Sequence, residues 1–191
     1  PMIPTVTDTT ADPVSCTVNG KPYTCTIIAD RGLVCIKDVK VPVVPEGVSV
    51  SGTVKSYNPG NATTIQLMQG GTKMYQTTIG ADSGSGQVAQ RFNFDTVTAG
   101  TYDLVVTKPG HLSYTVTGVV VGDAAIDLAT DTNAAISAIA LLCGDIDGDG
   151  WIDFSDYQEL LKSTNYGKQT SAVGVNKIAD LDGDTWIDFS D

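Results

Sequence analysis

The chain has 191 residues and a formal net charge of -11, carried by 22 acidic and 11 basic side chains. Eleven acidic residues, against three lysines, lie between Gly144 and Asp191, so the last quarter of the chain is strongly anionic. Nucleic acid, itself a polyanion, is therefore not expected as a partner. No apolar run approaches the roughly 18 residues that a membrane-spanning helix needs, so we expect no membrane span.

Residues 1–45 are interpreted as an N-terminal extension that contains a hairpin and a proline-containing linker. Cys16 and Cys25 flank the turn-forming residues 19–22 (NGKP). A four-residue loop there places Cys16 directly opposite Cys25, which suits either a cross-strand disulfide or two buried free thiols. Residues 41–45 (VPVVP) predict an extended linker, because proline lacks a backbone donor and favours open conformations.

Residues 46–142 predict an all-β sandwich of antiparallel strands. Apolar and polar residues alternate with a period of two, which is the pattern of strands with one buried face. Turn-forming segments rich in Gly, Pro and Asn separate these runs at residues 58–61, 70–71, 80–86 and 108–110. The apolar residues assigned to the buried strand faces are Val48, Val50, Val54, Ile65, Leu67, Phe92, Phe94, Tyr102, Leu104, Val106, Tyr114, Val116, Val120, Ile136, Ala138, Ala140 and Leu142.

Two twelve-residue segments, 145–156 (DIDGDGWIDFSD) and 180–191 (DLDGDTWIDFSD), repeat each other at an offset of 35 residues. Ten of the twelve positions are identical, which indicates an internal duplication. Acidic residues recur at alternate positions, and an oxygen-rich loop of this length can wrap a calcium ion better than zinc, copper or magnesium. The predicted calcium ligands, in which the two tryptophans contribute backbone carbonyls, are Asp145, Asp147, Asp149, Trp151, Asp153, Asp156, Asp180, Asp182, Asp184, Trp186, Asp188 and Asp191.

The two loops differ at the position where the backbone turns sharply. Gly150 occupies this position in the first loop and Thr185 in the second. A β-branched residue with positive φ is strained, at a cost of about 1–3 kcal/mol. We therefore expect two bound calcium ions, with the second site weaker. Ile152 is predicted to pair with Ile187 in a short two-stranded contact between the loops.

The segment after the first loop, residues 154–162 (FSDYQELLK), predicts a helix. Ser155 is its expected N-cap. Tyr157, Leu160 and Leu161 are spaced to form its apolar face, and we assign the first two of these to the core. No comparable helix is predicted ahead of either loop.

A duplicated calcium loop that is followed, but not preceded, by a helix resembles the dockerin family in its type I-like, cellulosomal form. The resemblance rests on the opening GDIDGDG at residues 144–150, on the helix after the first loop and on the duplication. It assigns residues 143–191 to a small α-helical dockerin with two EF-hand-like calcium loops. Because the sequence starts at Pro1-Met2 and ends at Asp191, we expect an excised fragment whose dockerin is truncated after the second loop.

Residues 46–142 resemble the carboxypeptidase-regulatory-like, transthyretin-type sandwiches that occur as accessory modules in secreted proteins. The resemblance rests on VSGTV at 50–54, AGTYDLVV at 99–106 and PGHLSYTV at 109–116. Such modules are mainly spacers or stabilisers. The two resemblances together describe an X-module–dockerin dyad, an all-β sandwich followed by a small helical module.

The dockerin resemblance implies a non-catalytic, calcium-dependent adaptor that binds a cohesin module of a scaffoldin. The adaptor would anchor its parent protein, expected to act in polysaccharide degradation, in a cellulosome-type complex. We expect a secreted protein in an extracellular or cell-surface complex, and a monomer apart from the cohesin complex. The alternative is a calcium-stiffened stalk or adhesin segment without a cohesin partner. The resemblance places the partner contacts at Phe154, Ser155, Leu161, Lys162, Tyr166, Phe189 and Ser190.

Some of these aromatic residues also fit a structural role. Phe154 and Phe189 suit either the core or the partner contact, although a repeated aromatic beside a repeated serine favours the contact, because aromatic anchors are enriched at interface centres. Trp151 and Trp186 are predicted to be packing residues.

Catalysis is not predicted for this chain. The single His111 is expected to be a solvent-facing loop residue, and no Ser-His-Asp or Cys-His set forms around it. The clustered aspartates are already assigned to calcium, which leaves Glu46 and Glu159 as the only glutamates. Glycan binding by the sandwich is disfavoured because its tyrosines show no planar platform.

Overall fold

The computed structural model describes residues 5–6, 14–18, 21–28, 33–37 and 47–191. The chain divides into two compact units, Pro1–Glu46 and Gly47–Asp191. The predicted linker at residues 41–45 lies outside the described residues, and the predicted module boundary at residue 143 falls within the second unit. Among the described residues, no helix has the length and apolar character to cross a membrane.

The first unit contains one antiparallel sheet with the strand order β1-β2-β3-β4. Its strands are β1 (Thr5–Val6), β2 (Val14–Val18), β3 (Lys21–Ile28) and β4 (Leu33–Lys37). Val18 pairs with Lys21, so only two residues join β2 to β3 and the predicted four-residue loop is wrong. In this register Cys16 lies opposite Tyr23 rather than opposite Cys25. The side chains of these cysteines lie outside the described residues.

The second unit is mostly β-sheet, with two short α-helices and two 3-10 turns. Its elements are β5 (Val48–Tyr57), β6 (Thr63–Gln69), β7 (Thr72–Ile79), β8 (Gln87–Val97), β9 (Gly100–Thr107), β10 (Gly110–His111), β11 (Tyr114–Val121), β12 (Ile126–Asp127), a 3-10 helix (Leu128–Thr130), α1 (Ala134–Ser137), β13 (Ile139–Ala140), β14 (Cys143–Asp145), α2 (Phe154–Leu160), β15 (Lys168–Gln169), a second 3-10 helix (Lys177–Ala179) and β16 (Trp186–Ile187).

Two larger sheets enclose the main core of this unit, an arrangement consistent with a β-sandwich. One sheet has the antiparallel order β11-β9-β6-β7. The other is centred on β5, which pairs antiparallel with β8 on one side. On its other side, β5 pairs in parallel with the short strands β12 and β13, so this sheet is mixed rather than purely antiparallel.

The predicted alternation of buried residues is confirmed in most strands of the sandwich. Gly52 lies within β5, and only glycine fits at this position, because a Cβ there would come within 2.5 Å of the Phe92 ring. The strand therefore continues through this glycine and packs closely against its neighbour. The predicted core residues that are buried are Val50, Val54, Ile65, Leu67, Phe92, Phe94, Tyr102, Leu104, Val106, Val116 and Ile136.

The alternation fails where the backbone leaves regular strand geometry. The register of β11 shifts between Val116 and Val119, so Val119 is buried and Val120, predicted to be buried, is 69% exposed. Such a bulge moves every later side chain to the opposite face of the sheet.

A helical turn causes the second failure of the alternation. Residues 134–137 form α1 instead of the predicted strand. Ile139 and Leu141 are buried as a result, whereas Ala138, Ala140 and Leu142 are exposed.

Candidate functional site

The first acidic loop brings three carboxylates together. One oxygen each from Asp145, Asp147 and Asp149 lies within 4.8 Å of the other two. Backbone amides fix these side chains: Asp145 accepts from Gly148 N at 2.9 Å and from Gly150 N at 3.2 Å. Because calcium binds oxygen at about 2.3–2.6 Å, oxygens this far apart can share one ion.

The second acidic loop repeats this arrangement. Oxygens of Asp180, Asp182 and Asp184 also lie within 4.8 Å of one another. Asp180 accepts from Gly183 N at 2.8 Å and from Thr185 N at 3.2 Å, as its counterpart does in the first loop. The duplicated sequence therefore folds into duplicated loops.

The two loops adopt the same backbone conformation at the position where their residues differ. Gly150 has a φ of 88° and Thr185 a φ of 80°, both in the left-handed region. Glycine reaches this region freely, whereas a β-branched side chain is strained there. The positive φ expected at Thr185 is confirmed, while the weaker calcium affinity that we expect from it stays a prediction.

The last acidic residue of each loop binds the start of that loop. Asp156 Oδ1 accepts from Ile146 N at 2.7 Å, and its Oδ2 accepts from Asp153 N at 2.9 Å. Asp191 accepts in the same way from Leu181 N at 2.6 Å. These carboxylates close the loops by hydrogen bonding and do not belong to the two three-carboxylate clusters.

Helix α2 begins with a capping box after the first loop. Asp153 is its N-cap and accepts from Ser155 N at 2.8 Å, so the prediction that Ser155 is the N-cap is wrong. The Ser155 hydroxyl also donates to Asp153 at 2.8 Å. Ser190 makes the same two bonds to Asp188 at 2.9 Å. Neither Asp153 nor Asp188 belongs to the carboxylate clusters, so their predicted part in calcium binding stays a prediction.

The connection between α2 and the second loop is fixed by a buried amide. Asn165 is 1% exposed and donates to the Glu159 carbonyl at 2.7 Å, while its oxygen accepts from Asn176 N at 2.9 Å. Lys162 pairs with the carboxylate of Glu159 on the helix surface. This hydrogen bond from Lys162 lowers the pKa of Glu159.

Aromatic side chains are exposed beside both loops. Phe154 is 67% exposed and Phe189 is 97% exposed, which contradicts a core role for either. Phe189 stands edge to face with Tyr166, with ring centroids 5.8 Å apart. Tyr157, predicted as core, is 53% exposed and lies 6.0 Å from Phe154, measured between ring centroids. The first helix therefore turns its aromatic residues outward.

The tryptophans and Ile152 also differ from their predicted roles. Trp151 is 72% exposed and Trp186 is 45% exposed, so neither is a packing residue. Ile187 is buried, but it pairs with Lys168 of β15 and not with Ile152. Ile152 instead covers Gly144, where an added Cβ would lie 2.9 Å from its Cγ2.

Strand pairing joins the first loop directly to the sandwich. Strand β14, which ends at Asp145, pairs antiparallel with β10 of the sandwich. Leu112 N also donates to the Leu142 carbonyl at 2.9 Å. The sandwich and the first loop are therefore connected through main-chain groups.

His111 is buried in this connection, so its predicted exposure is wrong. Tyr57 N donates to its Nε2 at 3.2 Å, which leaves Nδ1 to donate to the Pro109 carbonyl at 2.9 Å. Burial lowers the pKa of His111, and the neighbouring Lys108 charge lowers it further. The ring is consequently neutral and structural.

A buried lysine and a thiol lie near His111. Lys108 is 4% exposed, and its Nζ donates to Ser56 Oγ at 3.0 Å. Burial lowers the pKa of this ammonium group. Burial also raises the pKa of the Cys143 thiol to about 11, so the sulfur is protonated at neutral pH. None of these buried groups carries a periodic sequence signal that would have predicted its burial.

The acidic side chains of the second loop suit a bound cation. Burial raises the pKa of Asp180 and of Asp191, and the nearby Asp182 charge raises both further. A cation would relieve this desolvation and repulsion. Because all the clustered donor atoms are carboxylate oxygens, this chemistry suits a hard cation rather than a soft metal.

Comparison with known proteins identifies solved structures with a similar fold. A chain of a type II cohesin-X-dockerin complex from Acetivibrio cellulolyticus, an N-terminal interface mutant, has a TM-score of 0.50 and 22% identity, covering 75% of this chain and 90% of that chain. A C-terminal interface mutant of such a complex from the same organism has a TM-score of 0.49 and 21% identity, with the same coverage. No family profile matches the sequence, and no curated protein is significantly similar to it.

Proposed function

We propose that this chain is a non-catalytic, calcium-dependent adaptor of the dockerin type that binds a cohesin module. The observation that carries the proposal is the combination of two duplicated carboxylate clusters with exposed aromatic side chains beside them. Metal binding alone does not explain why Phe154 and Phe189 are exposed, whereas a protein partner that covers them does. The similar fold in a cohesin-X-dockerin complex agrees with this proposal.

Calcium would be held by the first cluster, Asp145, Asp147 and Asp149, and by its duplicate in the second loop. The backbone carbonyls of Trp151 and Trp186 would add to these ligands. When calcium is bound, the carboxylates of a loop no longer repel one another, so the loop keeps one conformation. Asp153 and Asp156 belong to the first loop and form the capping box at the start of α2. The position of the helix therefore depends on the conformation of the loop.

The partner would contact the outward face of α2 and the second loop. Exposed Phe154 and Phe189 would be its aromatic anchors, with Tyr166 supporting the second ring. Aromatic anchors of this kind carry much of the binding energy at protein interfaces. Leu161, which is 43% exposed, and Lys162 would extend the contact along the helix. Ser155 and Ser190 are bonded to loop aspartates and would hold the phenylalanines in place.

A cohesin-binding assay in the presence and absence of calcium tests this function. The full chain is passed over a panel of immobilised cohesin modules in millimolar calcium and then in excess chelator. We expect binding to at least one cohesin that disappears with chelator. Binding that is unaffected by chelator, or no binding to any cohesin, would contradict the proposal.

A second candidate is a calcium-stiffened stalk, and the joint between sandwich and loops favours it. Pairing of β10 with β14 makes this connection stiff without any partner. A stalk predicts a calcium-dependent rise in melting temperature together with no cohesin binding. The exposed phenylalanines favour the adaptor, because a stiffener has no need of them.

A further inference from the structure

A side chain of the sandwich bonds directly to the second acidic loop. Asn58 follows β5 and is 6% exposed, and its Nδ2 donates to the Asp180 carbonyl at 2.6 Å. Asn58 itself has a φ of 51°, a conformation that asparagine tolerates better than most residues. The turn therefore places an amide against the first residue of the second loop.

The glycine at the fourth position of each loop shows how closely Asn58 fits. Gly148 and Gly183 have nearly the same φ, 79° and 80°. A Cβ added to Gly148 would meet nothing within 4 Å, whereas one added to Gly183 would lie 2.7 Å from Asn58 Oδ1. Only the second loop is thus packed against a sandwich side chain at this position.

A second contact holds the same loop from the sandwich side. Gly86 N donates to the Asp182 carbonyl at 2.6 Å. The carbonyls of Asp180 and Asp182 are therefore bonded to the sandwich, while their carboxylates belong to the cluster. Fixing these two peptide groups limits the directions in which the carboxylates can point.

We propose that Asn58 is a positioning residue for the second acidic loop, so that cation binding there depends on the sandwich. The inference rests on the proposed calcium binding and adds that the two loops are supported differently. The first loop continues from a paired strand, whereas the second loop is held by the Asn58 amide together with Gly86 N. This support holds the loop in one conformation before a cation arrives, which lowers the ordering cost of binding.

The direct test removes the amide without straining the turn. Asn58→Gly keeps the positive φ accessible and deletes the hydrogen bond to Asp180. Asn61→Gly, in the same turn, is the matched control. Calcium affinity is measured by calorimetry on the full chain in two backgrounds, Asp147→Asn/Asp149→Asn and Asp182→Asn/Asp184→Asn. Each background leaves one cluster intact.

We expect Asn58→Gly to weaken calcium binding about 3- to 10-fold when only the second cluster is intact, as for one lost hydrogen bond. The change should stay below about 2-fold when only the first cluster is intact. An equal effect on both clusters, or no effect on the second, would overturn the proposal. Asn61→Gly should change neither affinity.

A second pair of variants tests the contact between Asn58 and Gly183 by substitutions in the loops. Gly183→Ala and Gly148→Ala carry the same positive-φ strain, but only the first adds a clash with Asn58. Gly183→Ala should therefore weaken its cluster more than Gly148→Ala weakens the other. Combining Asn58→Gly with Gly183→Ala should recover part of that excess loss, because it removes the side-chain atoms but leaves the Cα of residue 58 at 3.0 Å from the added Cβ. Equal losses, or no recovery, would contradict a direct contact.

Hydrogen exchange without calcium separates failure of this inference from failure of the calcium proposal. In chelator, Asn58→Gly should speed exchange of the Gly183 and Thr185 amides, which are bonded to Asp180. The Gly148 and Gly150 amides should be unchanged. If the unaltered chain binds no calcium, the proposed function fails, and unchanged exchange at Gly183 would then sink the positioning role as well.

Discussion

The two acidic loops have nearly the same internal structure but different surroundings. Nine hydrogen bonds within each loop match pairwise, with distances that differ by no more than 0.1 Å. The first loop continues from β14 and leads into α2, whereas the second lies against Asn58 and contains Thr185. The duplicated sequence thus determines loop shape locally, and tertiary contacts make the copies unequal.

Removing carboxylates from one loop at a time gives the largest expected difference between the copies. Asp147→Asn/Asp149→Asn should weaken calcium binding at the first loop by about 100-fold or more, since ligand charge sets affinity. The same change at Asp182 and Asp184 should do so at the second loop. Calorimetry should count one remaining site in each variant. Two remaining sites in either variant would show that the cluster is not the calcium site.

The same two variants should also differ in how much cohesin binding they lose. Because the first loop caps α2, its variant should lose most cohesin binding, while the second-loop variant should keep more. Surface plasmon resonance against the cohesin that binds the unaltered chain measures both. A larger loss from the second-loop variant would reverse the ranking of the two copies.

Truncating the exposed phenylalanines should give the next largest effect. Phe154→Ala should cost about 2 kcal/mol of binding free energy, as a central aromatic anchor does. Phe189→Ala is measured beside it, because Phe189 occupies the matching position of the second loop. Val173→Ala is the control, since Val173 is fully exposed on the same unit. A loss from Val173→Ala equal to that from Phe154→Ala would argue against a specific aromatic contact.

Exchanging the residues at the sharp turns should bring the two calcium affinities closer. Thr185→Gly removes a strain of about 1–3 kcal/mol and should tighten the second site. Gly150→Thr should weaken the first site by a similar amount. Calorimetric titration of both variants measures the change. If Thr185→Gly leaves the affinity unaltered, the turn strain does not explain a difference between the loops.

Acidification should have the smallest effect. It acts on the stability of the chain through His111, which lies where the first loop joins the sandwich. Burial lowers the pKa of His111, so the unfolded chain takes up its proton first, at a pKa of about 6.5. Stability should consequently fall as the pH drops through and below that value. His111→Gln keeps an acceptor for Tyr57 N and should lose less melting temperature between neutral pH and mild acid. A steeper decline in the variant would contradict a buried neutral histidine.

The duplicated loops could be predicted from sequence because their structure is local. Each acidic residue in a loop bonds to backbone amides no more than ten residues away, so the spacing was sufficient to predict these contacts. The left-handed turn at Thr185 followed from the same spacing. Alternation predicted most buried strand residues for a similar reason, since a strand repeats every two residues.

The remaining features depend on contacts between distant residues. Asn58 and Asp180 are 122 positions apart, and the sequence motif at residues 58–61 predicted a turn but not the partner of Asn58. His111 looked like a loop residue because its burial depends on Tyr57 and Cys143. The bulge in β11 and the helical turn of α1 reversed the alternation that sequence periodicity assumes.

The pairing of β10 with β14 has a consequence for how such a chain could be rearranged. Backbone hydrogen bonds do not depend on side-chain identity, so a different acidic segment exchanged at residue 143 could pair with β10 in the same way. The Asn58 amide also bonds a main-chain carbonyl, that of Asp180, but only a segment whose fold places this carbonyl against Asn58 would keep the bond. An exchanged segment that kept the pairing with β10 but placed its second loop elsewhere would thus lose the Asn58 bond while its first loop stayed attached.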